Sequence, residues 1–226
     1  LAVMAATDAE LGVAGLKSYT LVDGSLVFVV CLFDAERGTL DAVIEADRLG
    51  RLRTGAASGV AAQHLARPDA RSVGLIGCGW QAESQLEAIR AAVPTVERAV
   101  AWCRSPERLG SFCERYAAEP ADGPEDAAAC DIVVTVTTSK DPVLRGDWLR
   151  DGALVCAVGA NDPRARELDA RVVERASFVC CDSLETARLE SGDLIDPVAA
   201  GTLDWLEVHE LHEVVGGAIP GRQGPD

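Results

Sequence analysis

A glycine-rich turn near the middle of the chain carries the clearest chemical signal. The segment Gly77-Cys78-Gly79-Trp80-Gln81-Ala82 follows an apolar run and opens a stretch with helical periodicity. In such a turn the first glycine permits the sharp bend, the second lets the backbone approach a pyrophosphate, and the small last residue lets the helix approach the sheet. The pattern predicts a nicotinamide-dinucleotide site that includes Gly77, Gly79, Trp80 and Gln81. Taken alone, it also occurs as a turn in unrelated α/β folds.

The end of the next predicted strand bears on which dinucleotide is bound. Folds that bind NAD usually place Asp or Glu there for the ribose 2′-hydroxyl, whereas an Arg accommodates the 2′-phosphate of NADP. This chain offers Arg104 and Ser105 and no carboxylate. The sequence therefore favours NADP(H), with NAD(H) possible, although an arginine here is also typical of a solvated surface.

Two further loops follow predicted strands and carry polar side chains. Ligands of a parallel sheet lie outside the carboxyl ends of its strands. Thr137, Thr138 and Val158 are therefore predicted to contact the cofactor, and Asn161 and Asp162 lie within reach of a substrate. The alternatives are an ordinary polar strand end and an Asx turn.

Two cations outside the dinucleotide segment, Lys17 and Arg53, have the chemistry to bind a carboxylate. A guanidinium can bind a carboxylate through two parallel hydrogen bonds. The net charge is −15, so an anionic ligand has to be held by local cations against the overall field. Taken alone, each of the two is more often a surface charge.

Composition excludes several classes of function. So acidic a chain repels phosphate backbones and anionic lipid, which argues against nucleic acid and membrane partners. Its eight cysteines include no C-x-x-C pair, and its histidines lack the spacing of metal ligands, so we expect no metal site. Several cysteines lie in apolar runs, which predicts buried, reduced thiols and a cytoplasmic location.

Hydrophobic periodicity predicts two kinds of architecture along the chain. A strand over residues 25–34 precedes a possible hairpin partner at 40–44, and a helix follows over 48–66. From residue 71, strands and helices alternate, which predicts a doubly wound parallel α/β sheet. The strands are expected at 72–76, 98–103, 131–137, 154–159 and 178–182, and the helices at 81–92, 106–118, 124–129 and 184–194. The tail, 203–215, reads as strand-like near 206–211, with no helix.

Several segments together resemble the ornithine cyclodeaminase/mu-crystallin family. They are Gly15-Leu16-Lys17, Arg51-Leu52-Arg53-Thr54-Gly55-Ala56-Ala57-Ser58, Gly74-Leu75-Ile76-Gly77-Cys78-Gly79-Trp80-Gln81-Ala82, Ala157-Val158-Gly159-Ala160-Asn161, Arg166-Glu167-Leu168-Asp169 and Glu190-Ser191-Gly192-Asp193. The resemblance implies a Rossmann-like domain over residues 57–202. It also implies a smaller α+β substrate and dimerisation domain from residues 1–56 and 203–226, and a homodimer. We expect this smaller domain to be incomplete, because the family usually has more chain at both ends.

The resemblance also assigns roles to individual residues. Lys17 and Arg53 match the family's substrate-carboxylate cations, and Asn161 stands where its cyclodeaminases hold a catalytic aspartate. An amide cannot take a proton, so the favoured reaction is hydride transfer to the imine carbon of a ketimine or cyclic imino acid, giving an amino acid. Two alternatives remain: an NAD-dependent ornithine cyclodeaminase, and a non-enzymatic NADPH-dependent small-molecule binding protein.

Overall fold

A computed structural model describes residues 1–22 and 25–224. It divides the chain into two compact units, Leu1–Arg53 and Thr54–Asp226. The first unit is a four-stranded antiparallel sheet in which the strands follow one another in chain order. These strands are β1 (Ala2–Asp8), β2 (Val13–Val22), β3 (Ser25–Asp34) and β4 (Leu40–Glu45).

The predicted strand over 25–34 and its hairpin partner are confirmed as β3 and β4. β1 and β2 were not predicted. Most of β1 is exposed, so it lacks the alternation of apolar and polar residues that marks a half-buried strand. β2 contains Gly15. This strand lies at the centre of the sheet, because it pairs with β1 on one side and with β3 on the other.

The second unit contains the predicted doubly wound sheet. Its five strands are all parallel and lie in the order β7-β6-β5-β8-β9. They are β5 (Ser72–Ile76), β6 (Arg98–Trp102), β7 (Glu119–Pro120), β8 (Ile132–Thr135) and β9 (Leu154–Ala157). The order changes direction at β5, so the switch point of the sheet lies between β5 and β8.

Helices cover both faces of this sheet. The helices are α1 (Asp47–Leu65), α2 (Ala82–Ala92), α3 (Pro106–Tyr116), α4 (Pro124–Ala128) and α5 (Ala170–Arg175). Residues of α1, α2 and α3 share one buried apolar cluster with the sheet, and residues of α4 and α5 share a second cluster with its other face. The predicted fold class is thereby confirmed, and the predicted elements from 48 to 159 agree within two residues at each end.

The last quarter of the chain differs from the prediction in three respects. The strand expected at 178–182 is confirmed as β10 (Val179–Cys181), but it does not belong to the five-stranded sheet. It pairs in a separate two-stranded sheet with β11 (Val208–Glu210), which lies in the strand-like stretch expected near 206–211. The helix expected over 184–194 is broken at Ser191 into α6 (Leu184–Glu190) and α7 (Gly192–Ala199). The tail contains the helix α8 (Leu211–Val215); it is too short to show a helical period.

The compact unit that begins at Thr54 also includes the described part of the tail, residues 203–224. The grouping of residues 1–56 with 203–226 as a substrate and dimerisation domain stays a prediction, and residues 225 and 226 lie outside the described part. None of the described helices combines the length and the apolarity that crossing a membrane requires. The cysteines are all free thiols in the structure.

Helix α1 approaches α2 closely because its glycines carry no side chain. A Cβ built on Gly55 would lie 2.3 Å from the carbonyl oxygen of Ser84, and one on Gly59 would lie 3.1 Å from Ala88. The small residues of α1 therefore admit a neighbouring backbone. By contrast, a Cβ on Gly110 in α3 would meet nothing within 4 Å.

We predict opposite effects for two helical glycine-to-alanine variants. Gly55→Ala should lower the free energy of unfolding by about 1–3 kcal/mol, because the methyl group overlaps a backbone that cannot retreat. Gly110→Ala should raise it by about 0.5–1 kcal/mol, because alanine restricts the unfolded chain. Urea unfolding of both variants is the measurement, and a stabilising Gly55→Ala would show that the helices are less closely packed.

Candidate dinucleotide and substrate site

The turn between β5 and α2 has the backbone geometry that a bound pyrophosphate requires. Gly77 has a φ of +117°, and a Cβ on it would lie 2.4 Å from the carbonyl oxygen of Val136, so the position requires glycine. A Cβ on Gly79 would meet nothing within 4 Å, which leaves this part of the turn open to a ligand. Ala82, the first residue of α2, is fully buried, as close helix packing demands.

The start of α2 is also suited to an anion. Gln81 stands at the N-cap position, and its side chain makes no capping hydrogen bond. Trp80 beside it is 47% exposed. The first-turn N–H groups and the positive end of the helix dipole favour negative charge at this place. The turn therefore fits a dinucleotide, and the roles of its individual residues stay predictions.

The loop after β6 has the charge expected for a 2′-phosphate. Arg104 is exposed and forms no ion pair with any residue that the structure describes. Ser105 caps α3, and its hydroxyl accepts a hydrogen bond from the backbone N–H of Arg108 at 3.3 Å. The hydroxyl hydrogen of Ser105 is still available for donation. The first acidic side chain after β6 is Glu107, inside the helix.

The loops after β8 and β9 lie side by side at the same edge of the sheet. The N–H of Val158 donates to the carbonyl oxygen of Thr135 at 2.9 Å, which extends the pairing of the two strands. Thr137 is half-buried and Thr138 is exposed, whereas the side chain of Thr135 is fully buried. Thr137, Thr138 and Val158 therefore stand where the sequence placed them, next to the switch point.

A buried acidic pair behind these loops was not recognised from the sequence as part of the site. The carboxylate of Glu167 accepts hydrogen bonds from the N–H groups of Thr137 at 2.6 Å and Gly159 at 2.7 Å. Oδ1 of Asp193 accepts from the N–H groups of Glu167 at 2.8 Å and Leu168 at 2.9 Å. Two acidic residues in loop-like and helical segments give no periodic signal, so only the fold reveals that they are buried together.

Lys17 and Arg53, both in the first unit, lie close enough for their charges to interact. Lys17 stands in the middle of β2, and its Nζ is 5.5 Å from the centroid of the Phe28 ring. Asp47 begins α1 and accepts a hydrogen bond from the N–H of Phe28 at 2.7 Å, which ties the helix that carries Arg53 to β3. Burial lowers the pKa of Lys17, and the charge of Arg53 lowers it further.

Neither cation has an acidic partner within the described residues. Two like charges that repel one another without a compensating carboxylate form a place where an anion is stabilised. In a chain with a net charge of −15, an anion has to be held by local positive charge of this kind. The pair has the chemistry that binding of a carboxylate requires, as the sequence suggested.

The loop after β9 also holds Asn161 and Asp162. Asn161 is exposed. The side chain of Arg164 hydrogen-bonds to Asp162 and holds the pKa of its carboxyl well below its usual range. Asp162 is therefore an ionised partner of Arg164 and a poor proton donor, and it does not supply the acid that Asn161 lacks.

Comparison with known proteins identifies the family. The model of the ornithine cyclodeaminase/mu-crystallin family matches residues 1–226. A Delta(1)-pyrroline-2-carboxylate reductase of Bacillus cereus is 32% identical over 99% of this chain and 73% of its own length. The structure of the Thermococcus litoralis Delta(1)-pyrroline-2-carboxylate reductase with NADH and L-proline superposes with a TM-score of 0.88, at 32% identity, over 94% of this chain and 70% of that one. An archaeal alanine dehydrogenase dimer with bound NAD gives a TM-score of 0.88, at 32% identity, over 96% of this chain and 70% of the other.

The chain belongs to the ornithine cyclodeaminase/mu-crystallin family. The expected class of protein, an NAD(P)-dependent oxidoreductase with a Rossmann-like domain, is confirmed by these relatives. The two related structures contain a nicotinamide dinucleotide, NADH in one and NAD in the other. The residues of the glycine turn, from Gly77 to Ala82, and the Arg104 loop are the parts of this chain that would hold it.

We predict that replacing Asp193 by Asn stabilises the protein in a pH-dependent way. Burial raises the pKa of the Asp193 carboxyl to about 6, above the usual 3.8. The folded state therefore favours the neutral form of Asp193. The contribution of this group to the free energy of unfolding is lost as the pH rises from 4 through 6. Asn keeps the Oδ1 acceptor and carries no charge. Asp193→Asn should therefore raise the free energy of unfolding by up to about 3 kcal/mol at pH 8 and by little at pH 4.

Urea unfolding at the two pH values measures this difference. The matched control is Asp196→Asn, because Asp196 lies on the same helix, is half-exposed and pairs with Arg166 at 3.0 Å. This variant should show no gain at pH 8. A gain for Asp193→Asn that is equal at both pH values would contradict the assignment of the effect to the buried charge.

Proposed function

We propose that this protein reduces a cyclic imino acid, of the type of Delta(1)-pyrroline-2-carboxylate, to the corresponding amino acid. Imine reduction is the reaction favoured from the sequence, and it is also the activity that relatives of B. cereus and T. litoralis carry in their names. The observation that carries the proposal is the pair of cations without an acidic partner among the described residues, Lys17 and Arg53, because the substrate of such a reductase has a carboxylate beside its imine.

The residues of this chain would bind and orient the substrate and would not themselves react. The nicotinamide, when bound, supplies the hydride that adds to the imine carbon. The π electrons of the C=N bond move to nitrogen, which takes a proton from solvent water, and a secondary amine results. Lys17 and Arg53 would hold the carboxylate, and Asn161 would offer its amide as a hydrogen-bonding group. Asn161 cannot serve as acid or base, which is why imine reduction is favoured over cyclodeamination.

We also propose that NADPH is preferred over NADH. This rests on the charge of the loop after β6, where Arg104 has no acidic partner among the described residues and Ser105 offers a hydroxyl. A guanidinium is a bidentate partner for phosphate. An acidic side chain at the same position would instead have repelled a 2′-phosphate and bound the hydroxyl.

A homodimer through the first unit and a cytoplasmic location complete the proposal. The archaeal alanine dehydrogenase of similar structure is a dimer. The sheet of the first unit exposes large apolar side chains, among them Val3, Met4 and Val43, each more than half exposed. Exposed apolar side chains of this kind mark an association surface. Sedimentation velocity tests the dimer, and a monomer at micromolar concentration would contradict it.

Removal of the Arg53 charge should weaken catalysis at low substrate concentration. With Delta(1)-pyrroline-2-carboxylate and NADPH, Arg53→Ala should lower kcat/KM about 10- to 100-fold, mainly through KM, because a charge-assisted hydrogen bond to the carboxylate is lost. Arg37→Ala is the matched control, since Arg37 belongs to the same unit and its side chain is 80% exposed. Its kinetics should be those of the wild type.

Other outcomes of this assay would point to other functions. Ammonia release from ornithine without net change in the cofactor would identify a cyclodeaminase. Reduction of pyruvate with ammonia, and none of the cyclic imine, would identify an alanine dehydrogenase. Tight cofactor binding with no turnover of any imine would identify a binding protein. Each of these results would overturn the proposed substrate.

Arg104 should determine the preference between the two dinucleotides. Fluorescence titration should show tighter binding of NADPH than of NADH by the wild type, and Arg104→Ala should weaken NADPH binding about tenfold with NADH unchanged. Arg115→Ala removes the same charge from the far end of α3 and should leave both affinities unaltered. Tighter NADH binding that is indifferent to Arg104 would overturn the proposed preference.

A further inference from the structure

The carboxylate of Glu167 occupies an unusual environment. Its side chain is fully buried, and no basic side chain in the described residues pairs with it. Its two oxygens each accept one backbone hydrogen bond, from Thr137 to Oε1 and from Gly159 to Oε2. A buried charge without a counterion is costly.

The two N–H groups that Glu167 accepts belong to different loops. Thr137 follows β8 and Gly159 follows β9, and direct pairing between these strands ends with the bond from Val158 to Thr135. Beyond that bond, the carboxylate of Glu167 lies between the two loops. It accepts a hydrogen bond from each of them, in place of the next direct hydrogen bond between the strands. A Cβ on Gly159 would lie 2.3 Å from the carbonyl oxygen of Thr137, so the loops are in close contact there.

Glu167 is itself held rigidly. Its N–H donates to Asp193, and its carbonyl oxygen accepts from Val143 at 2.8 Å and from Leu144 at 2.9 Å. Its backbone is therefore anchored on both sides. The carboxylate therefore connects the loops after β8 and β9 from a backbone that is held independently of both loops.

The loops that Glu167 connects lie on a particular side of the cofactor crevice. The pyrophosphate belongs at the glycine turn after β5, and the ribose of the adenosine belongs at the end of β6. β8 and β9 lie on the other side of β5, so their loops face the nicotinamide half. Thr137 also reaches the glycine turn, since a Cβ on Gly77 would lie 3.2 Å from its methyl group.

We propose that Glu167 is a positioning residue for hydride transfer, whose carboxylate fixes the loops after β8 and β9 and thereby shapes the nicotinamide half of the crevice. It does not exchange a proton with the substrate. This inference rests on the dinucleotide-binding function and is independent of which imine is reduced. It assigns a role to a residue that is not predicted to touch substrate or cofactor.

Glu167→Gln tests the proposal, because its amide group offers one acceptor oxygen in place of two and turns an N–H donor towards a backbone N–H. The readout is binding of NADPH and of 2′-phospho-ADP-ribose, which lacks the nicotinamide. We expect NADPH affinity to fall about tenfold and the affinity for the truncated ligand to stay within about twofold, as the loss of one charge-assisted hydrogen bond on one side of the crevice implies. With an imine substrate, kcat should fall as well.

Asp131→Asn is the matched control. The carboxylate of Asp131 accepts hydrogen bonds from the N–H groups of Arg71 at 2.9 Å and Ser72 at 3.0 Å, at the opposite edge of the same sheet. This variant should lose stability and keep both affinities. Should Glu167→Gln fail to fold, Glu167→Asp keeps the charge, is too short to reach both N–H groups, and should show the same selective loss.

The positioning role would be overturned if the Glu167 variant lost affinity for both ligands equally, or if it lost affinity for neither. The same conclusion would follow if Asp131→Asn reproduced the selective loss, since the effect would then be one of general stability. A wild-type protein that binds neither ligand would instead overturn the assignment of the crevice to a dinucleotide, and the role of Glu167 with it. The two failures are therefore distinguishable.

Discussion

The structure of the second unit depends on the parallel pairing of β5 with β6 on one side and β8 on the other. Ile76 stands opposite both Trp102 and Thr135 in this register. Three strands therefore end at the same height, and the loops that follow them converge on one edge. Because backbone hydrogen bonds set this register, they bring together the glycine turn, the Arg104 loop and the Thr137 loop.

Close approach of backbones is the second constraint, and it explains the composition. Gly74 in β5 faces α4, where a Cβ would lie 1.8 Å from the carbonyl oxygen of Ala127. Gly55 and Gly59 play the same part between α1 and α2. With aromatic residues at only 4% of the chain, alanine and valine fill the remaining space. Such a core has little room for larger side chains, and the elements that carry the site are correspondingly rigid.

The cations proposed to bind ligands are not neutralised by acidic side chains of the described residues. Several arginines of the second unit form ion pairs at the surface, as Arg98 does with Glu119 at 2.6 Å. Arg104 does not, and in the first unit neither do Lys17 and Arg53, among the residues that the structure describes. In so acidic a protein, these three cations provide local positive charge where an anionic cofactor or substrate would bind. The buried carboxylate of Glu167 is the opposite case, since backbone N–H groups stabilise it and its function is geometric.

The sequence by itself determined the class of fold, the cofactor turn and the candidate cations. Residues 72–159 alternate between apolar strands and periodic helices, and the glycines at 77 and 79 have a spacing with a known backbone mechanism. Such local signals do not reveal contacts between distant segments. The strands β1 and β2, the separate pairing of β10 with β11, and the hydrogen bonds from Thr137 and Gly159 to Glu167 were decided only in the tertiary structure. Burial and pairing at these places depend on residues far apart in the chain, and a carboxylate has no sequence pattern that distinguishes an exposed position from a buried one.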